Sequence, residues 1–274
     1  MLKKLFRHEF RSKGGVLLLF CEIMTVATVL MCIASLINKY AANTVSRIIY
    51  GIVGGGFFAT IVILIVTWFI YLCVHFYRTM YSAQGYLTHT LPVKSSSVLN
   101  VKIIVSEIQL VIVVAVVLIF IFITGIVNDG IAIGELMQAV RTLMQSIYEG
   151  TGIPGQIFAA FVVVIALIGW LDALLLFFAG SSIGQLFHRS KGAWGIAASI
   201  GLYYVSQIVT LIVIACVGGF MFVSNTEVYV NSSGGPTALV MYPLMVGIIV
   251  MLAFWAVVYY IISRVIVSKH LNLE

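Results

Sequence analysis

Residues 76–102, FYRTMYSAQGYLTHTLPVKSSSVLNVK, form a polar interruption in an otherwise apolar chain. On each side of them lies a hydrophobic run long enough to cross, as a helix, the roughly 30 Å hydrocarbon core of a bilayer. The polar segment therefore has to lie at a membrane face. It marks where one predicted span ends and the next begins.

The composition of the chain favours a membrane protein. Hydrophobic residues make up 62% of the 274 residues and charged residues only 9%, which is too little polar surface for a soluble globular protein of this size. The sequence therefore predicts an all-α integral membrane protein that forms a single transmembrane domain over residues 1–274. The net charge of +6 comes from basic residues beside the apolar runs, so the predicted partner is membrane lipid and not nucleic acid.

Six apolar runs reach the length of about 20 residues that a membrane-spanning helix needs. The predicted spans are residues 16–38, 52–75, 103–127, 157–180, 194–222 and 237–262. Gly51 and Gly55 stand four residues apart near the start of the second span. This spacing lets two helices approach closely.

The basic residues predict the orientation of the chain. If the amino terminus is cytoplasmic, only Lys39, Arg47 and Arg141 of the 15 Lys and Arg residues lie outside. Because short cytoplasmic segments of membrane proteins are enriched in Lys and Arg, both termini are predicted to be cytoplasmic.

Two amphipathic helices are predicted outside the spans. In residues 1–13, apolar and basic side chains fall on opposite helical faces, a pattern typical of a helix lying in the membrane interface. In residues 132–149, apolar residues recur at helical spacing, and Gly150 and Pro154 follow as stop signals. This second helix lies on the outer side between the third and fourth spans, where it either rests in the interface or on the loops, or gates a pathway.

The sequence lacks compact catalytic motifs. It contains no GxxxxGK[ST] phosphate loop and no HExxH or CxxC pattern. The chain is therefore predicted not to be an enzyme, with no catalytic residues and no cofactor of its own. His75, His89 and His188 lack the mutual spacing of metal ligands, so no metal site is predicted.

Three acidic residues, Glu22, Glu107 and Asp172, fall within the predicted spans. A charged carboxylate at that depth costs about 3 kcal/mol or more unless it is paired. These residues therefore either form buried ion pairs or hydrogen bonds with neighbouring helices, or line an acidic vestibule that receives a cationic substrate from the cytoplasm.

Within the polar segment, Gly85 and Pro92 bracket a short amphiphilic sequence, YLTHTL. Because the residue before a proline is biased towards an extended conformation, this sequence cannot continue as a helix through Pro92. The segment is either a handle for another protein, with aromatic and aliphatic side chains exposed, or a capped turn.

The sequences RTMY at 78–81 and QGYLTHTLPV at 84–93 resemble the loop between the second and third helices in membrane subunits of ABC-2 type exporters. These subunits are permeases that pair with a separate ATPase, and the loop is similar to a coupling helix that docks into a groove of that ATPase. The interfacial amino-terminal helix and the six spans with both ends inside also resemble such permeases. One departure is that many relatives have a re-entrant hairpin between spans five and six instead of an outer helix between spans three and four.

The resemblance implies that the chain is the permease subunit of an ATP-driven exporter in a bacterial plasma membrane. It implies two ABC ATPase subunits, which bind ATP and Mg²⁺, and a second, identical or related permease, in a dimer. The expected substrate is a peptide or an amphiphilic drug-like molecule, as for relatives in antimicrobial-peptide resistance. The implied ATPase-coupling residues are Gln84, Gly85, Tyr86, Leu87, Thr88, Leu91 and Pro92.

Two other classes of function remain open. An ATP-independent secondary transporter or channel would often show inverted repeats with matched broken helices, but the inner loop after the second span does not match the short outer loop after the fifth. A membrane scaffold without transport is also compatible with a docking loop.

Overall fold

The computed structural model of the chain describes residues 2–41, 43–82, 95–129, 133–187, 190–224 and 238–269. These described residues form eight helices: α1 (Leu2–Ser12), α2 (Gly14–Ala41), α3 (Thr44–Tyr81), α4 (Ser95–Asp129), α5 (Ile133–Thr151), α6 (Gly155–Gly184), α7 (Lys191–Ser224) and α8 (Ala238–Lys269). No residue within these ranges lies in a β-strand.

In the described part of the chain, six helical segments are long and apolar enough to cross a membrane. They lie on α2, α3, α4, α6, α7 and α8, so the prediction of six helices long and apolar enough to span a membrane is confirmed. Each of these helices is longer than the predicted span; α3, for example, covers Thr44–Tyr81 where the sequence predicts 52–75. A helix satisfies its own backbone hydrogen bonds, so it can continue past the apolar run that crosses the membrane.

A further helix, α5, occupies the position of the helix predicted at 132–149. It ends where Gly152 adopts a left-handed backbone conformation with φ 69°, which favours glycine. The Gly152 N–H donates a hydrogen bond to the Tyr148 carbonyl at 2.8 Å. A Cβ atom at Gly155, the first residue of α6, would lie 2.6 Å from Met144 Cα, so α5 folds back tightly against the start of α6.

The helices group into two compact units: unit 1 is Met1–Phe76 with Ser97–Gln138, and unit 2 is Tyr77–Ser96 with Ala139–Glu274. This division does not test the prediction that residues 1–274 form one transmembrane domain, which therefore stays a prediction. In unit 1, Phe20 of α2 meets Trp68 of α3 edge to face, with ring centroids 6.3 Å apart. Both side chains are buried, so aromatic packing joins α2 to α3.

In unit 2, α6 packs along both α7 and α8. The closest approach to α7 uses small residues four apart on each helix: Gly180 and Gly184 face Gly195 and Ser199. A Cβ atom at Gly184 would lie 2.5 Å from the Gly195 backbone nitrogen, and one at Gly180 would collide with the Ser199 hydroxyl. Paired small residues of this kind allow two helix backbones to come close.

The glycine pair of the second span behaves differently. No heavy atom of the described structure lies within 4 Å of a Cβ built at Gly51 or Gly55. The close approach that this spacing permits is therefore not made among the described residues, because four-residue spacing does not decide which face of a helix meets a neighbour.

Candidate functional site

Outside the described residues lie the predicted ATPase-coupling residues Gln84, Gly85, Tyr86, Leu87, Thr88, Leu91 and Pro92. The structure does describe how the chain enters and leaves this segment. Helix α3 ends at Tyr81, and α4 begins at Ser95. The segment is therefore flanked by a long helix on each side.

A charged cluster in unit 1 joins α1 to both of these flanking helices. The Glu9 Oε1 atom accepts a hydrogen bond from Lys102 Nζ at 3.1 Å and lies 3.1 Å from His75 Nε2. Lys13 Nζ lies 3.7 Å from the same oxygen. Because His75 directly precedes residues 76–102 and Lys102 is their last residue, one carboxylate holds α1 beside both ends of the predicted coupling loop.

The cluster is buried and contains more cationic than anionic groups. Only 7% of Glu9, 2% of Lys13 and 4% of Lys102 is exposed. Lys13 Nζ also donates a hydrogen bond to Ser106 Oγ at 3.2 Å. Buried ammonium groups are tolerated only when they are paired and hydrogen-bonded, so the burial of both lysines depends on the Glu9 carboxylate.

Sequence reasoning missed Glu9. One signal was present, because Glu9 and Lys13 stand four residues apart, a spacing at which opposite charges on a helix meet. The other partners, His75 and Lys102, are 66 and 93 residues away along the chain. Nothing in the sequence pattern indicated that these side chains would converge on one carboxylate.

A hydrogen bond in unit 2 fixes the last residue of α3. The Tyr81 and Ser182 hydroxyl oxygens lie 2.6 Å apart, and Ser182 donates its own proton to the Phe178 carbonyl at 2.7 Å. Since a serine hydroxyl has one proton, Tyr81 is the donor to Ser182. This bond ties the helix end before residues 82–94 to α6.

The three acidic residues of the predicted spans lie on three helices. Glu22 is exposed on α2 and Glu107 is half-buried on α4, both in unit 1, whereas Asp172 is half-buried on α6 in unit 2. Within the described ranges, Oε2 of Glu107 and Oδ1 of Asp172 are buried without a hydrogen-bond partner. The ion-pair and vestibule interpretations of the three residues both stay predictions.

Asp172 lines a cavity of about 430 Å³ in unit 2. Helix α7 contributes Ser206, Gln207 and Thr210 to the wall, and α8 contributes Trp255 together with aliphatic side chains. Trp255 Nε1 donates a hydrogen bond to Thr210 Oγ1 at 3.0 Å, which fixes the indole ring against α7. The sequence singled out Asp172 but not the α7 and α8 residues that share its cavity.

The described side chains include no group of three or more His, Cys, Asp or Glu that could hold a metal ion. No protein-family model, no curated protein and no solved structure matches this chain. The basis for a functional proposal is therefore the residues themselves and their geometry.

Proposed function

We propose that the chain is the permease subunit of an ATP-driven exporter whose ATP hydrolysis takes place in a separate subunit. The observation that carries this proposal is the anchoring of residues 76–102 at both ends, through the contacts of His75 and Lys102 with Glu9. The resemblance of the same segment to the ATPase-docking loop of ABC-2 type permeases supports the same function.

A coupling segment transmits force only if the helices beside it are stiff and held at their ends. Helix α3 has 38 residues and α4 has 35, so both continue well beyond the length of one membrane crossing. The Glu9 cluster holds them next to the segment within unit 1, and the Tyr81–Ser182 bond holds the end of α3 to α6 within unit 2. A displacement of the segment by a partner would therefore move these helices and not be absorbed by bending at their ends.

The proposed topology places residues 76–102 and both termini in the cytoplasm. This orientation follows the distribution of Lys and Arg, which leaves only Lys39, Arg47 and Arg141 outside. Helix α1 then lies as an amphipathic helix in the inner interface of a bacterial plasma membrane, and α5 lies as an amphipathic helix on the outer side.

The proposed assembly contains two permeases, identical or related, and two ABC ATPase subunits that bind ATP and Mg²⁺. Binding and hydrolysis of ATP would move residues 76–102, and α3 and α4 would carry the motion to a pathway between the permeases. The substrate is a peptide or an amphiphilic drug-like molecule that leaves the cytoplasm.

The test is purification of the chain from its native membrane in mild detergent. An ATPase subunit with a phosphate-binding loop is expected to copurify and to hydrolyse ATP. Replacing Tyr86→Ala and Leu87→Ala together should reduce the copurified ATPase by about tenfold or more, since buried aromatic anchors dominate the binding energy of docking sites. The matched control replaces Met137→Ala and Leu143→Ala on α5, two exposed apolar side chains, and should retain the ATPase.

Two results would contradict the proposal. One is the absence of any ATPase subunit from the purified complex. The other is a Tyr86/Leu87 variant that retains as much ATPase as the unaltered chain.

A further inference from the structure

The cavity beside Asp172 is a built site within unit 2. Three helices contribute to it: Asp172 comes from α6, a row of polar side chains from α7, and Pro243 and Trp255 from α8. Its volume of about 430 Å³ falls in the range of roughly 300–1,000 Å³ typical of small-molecule sites. Most of the lining residues are apolar, with a few polar side chains among them, which is the usual character of such sites.

The charge of the cavity is uncompensated. Among the described residues that line it, Asp172 is the only acidic one and none is Lys, Arg or His. The buried Oδ1 atom of Asp172 has no hydrogen-bond partner in the described chain. An ionisable side chain in a membrane-spanning helix is costly without a partner and marks a functional site more often than a structural one.

The remaining walls define what such a partner would look like. Trp255 is held by its hydrogen bond to Thr210, and a fixed indole face attracts cations as well as apolar groups. Ser206 and Gln207 add hydrogen-bonding groups to the cavity wall. A ligand that fits all of these surfaces has an apolar body and one positive charge.

A second copy of the chain suits the cavity less well. Apolar side chains packed over it would bury the Asp172 carboxylate without pairing it, and burial of an unpaired charge is unfavourable. A neutral apolar molecule would likewise leave the Asp172 carboxylate unpaired. A cationic amphiphile satisfies the carboxylate and the apolar walls together.

We propose that this cavity binds an amphiphilic monocation, with its charged group against Asp172 and its apolar body between α7 and α8. The proposal rests on the exporter function in one respect: if the chain is an exporter permease, this cavity is where its substrate is held. Binding itself requires neither ATP nor an ATPase partner.

Gly247 of α8 provides a way to fill the cavity. It lines the cavity, and no heavy atom of the described structure lies within 4 Å of a Cβ built there. A leucine at this position would therefore occupy cavity space without colliding with the backbone. Gly201 of α7 is equally open and exposed but does not belong to the described lining, so Gly201→Leu is the matched control.

The experiment measures binding of radiolabelled tetraphenylphosphonium to the purified full chain in lipid nanodiscs, with empty nanodiscs as the blank. We expect saturable binding that triphenylphosphine oxide, a neutral compound of similar shape, does not displace. Asp172→Asn should weaken binding about tenfold or more, since it removes the coulombic attraction between the carboxylate and the cation, which is strong where water is largely excluded. Gly247→Leu should also weaken it, whereas Gly201→Leu should bind like the unaltered chain.

Saturable binding that Asp172→Asn leaves unchanged would overturn the proposal, as would equal binding of triphenylphosphine oxide. If Asp172→Asn does not fold, Gly247→Leu decides: full binding by that variant places the ligand elsewhere. Failure of the exporter function is distinguishable from failure of this proposal. If the chain binds tetraphenylphosphonium but copurifies with no ATPase, the cavity site is supported and the exporter function is contradicted.

Discussion

Replacing Glu9→Gln is the sharpest test of the buried cluster at the ends of residues 76–102. The change keeps the size of the side chain and one hydrogen-bond acceptor but removes the only carboxylate of the cluster. It leaves the buried ammonium groups of Lys13 and Lys102, with 2% and 5% of their side chains exposed, without the carboxylate that both contact. Removing one partner of a buried ion pair costs about 3–5 kcal/mol, and the retained acceptor places this change at about 3 kcal/mol.

The free energy of unfolding can be measured by titrating the purified chain in micelles with sodium dodecyl sulfate. Adding Lys102→Met to Glu9→Gln removes one of these buried charges, so the double variant should be more stable than Glu9→Gln alone by about 1 kcal/mol or more. Glu135→Gln on α5 is the control, because Glu135 is exposed and exposed substitutions usually change stability by less than about 0.5 kcal/mol. A Glu9→Gln protein as stable as this control would refute the role given to the cluster.

Two further changes test contacts of unit 2 by the same titration. Gly184→Ala places a Cβ atom 2.5 Å from the Gly195 backbone and should lower the free energy of unfolding by about 1–3 kcal/mol or more, because the helices must separate. The control Gly201→Ala has open space around it and should raise the free energy of unfolding by up to about 1 kcal/mol. Equal effects of the two changes would show that α6 and α7 do not meet at Gly184. Tyr81→Phe removes the hydrogen bond to Ser182 and should lower the free energy of unfolding by about 1 kcal/mol. It should also speed amide hydrogen exchange at the end of α3. Unchanged exchange there would contradict the anchoring of α3 to α6.

The two polar features of the structure have different chemical roles. In the Glu9 cluster, one carboxylate contacts Lys13, His75 and Lys102. Asp172 lines a cavity, and its buried Oδ1 atom has no hydrogen-bond partner in the described chain. The first arrangement suits a fixed structural joint, and the second suits a site that a ligand completes.

The six spans could be predicted from the sequence because a membrane-spanning helix is a local property. An apolar run of sufficient length decides both that a helix forms and that it crosses, since all backbone hydrogen bonds are satisfied within the segment. The helix at Ile133–Thr151 could be predicted for a similar reason, as its apolar spacing and the glycine and proline that follow it are local signals. The ends of α3 and α4 were harder to predict from the sequence, because both helices continue past the apolar run into polar sequence.

The contacts between helices could not be predicted from the sequence in this way. Gly51 and Gly55 show the same four-residue spacing as Gly180 and Gly184, yet among the described residues only the second pair meets another helix. Spacing identifies which residues share a helix face, but which face meets a neighbour depends on the packing of every other helix. The same holds for Asp172, whose position in the sequence says nothing of the cavity walls supplied by α7 and α8.

The sequence by itself therefore determined the number and approximate position of the spans, because hydrophobicity and helical hydrogen bonding act over neighbouring residues. Only the tertiary structure decided that Glu9 meets His75 and Lys102, 66 and 93 residues away, and that Asp172 faces a cavity between helices. A lone charge in an apolar chain must find a partner, and the sequence shows that need. Which partner it finds is fixed by the rotation and packing of whole helices, which no local pattern encodes.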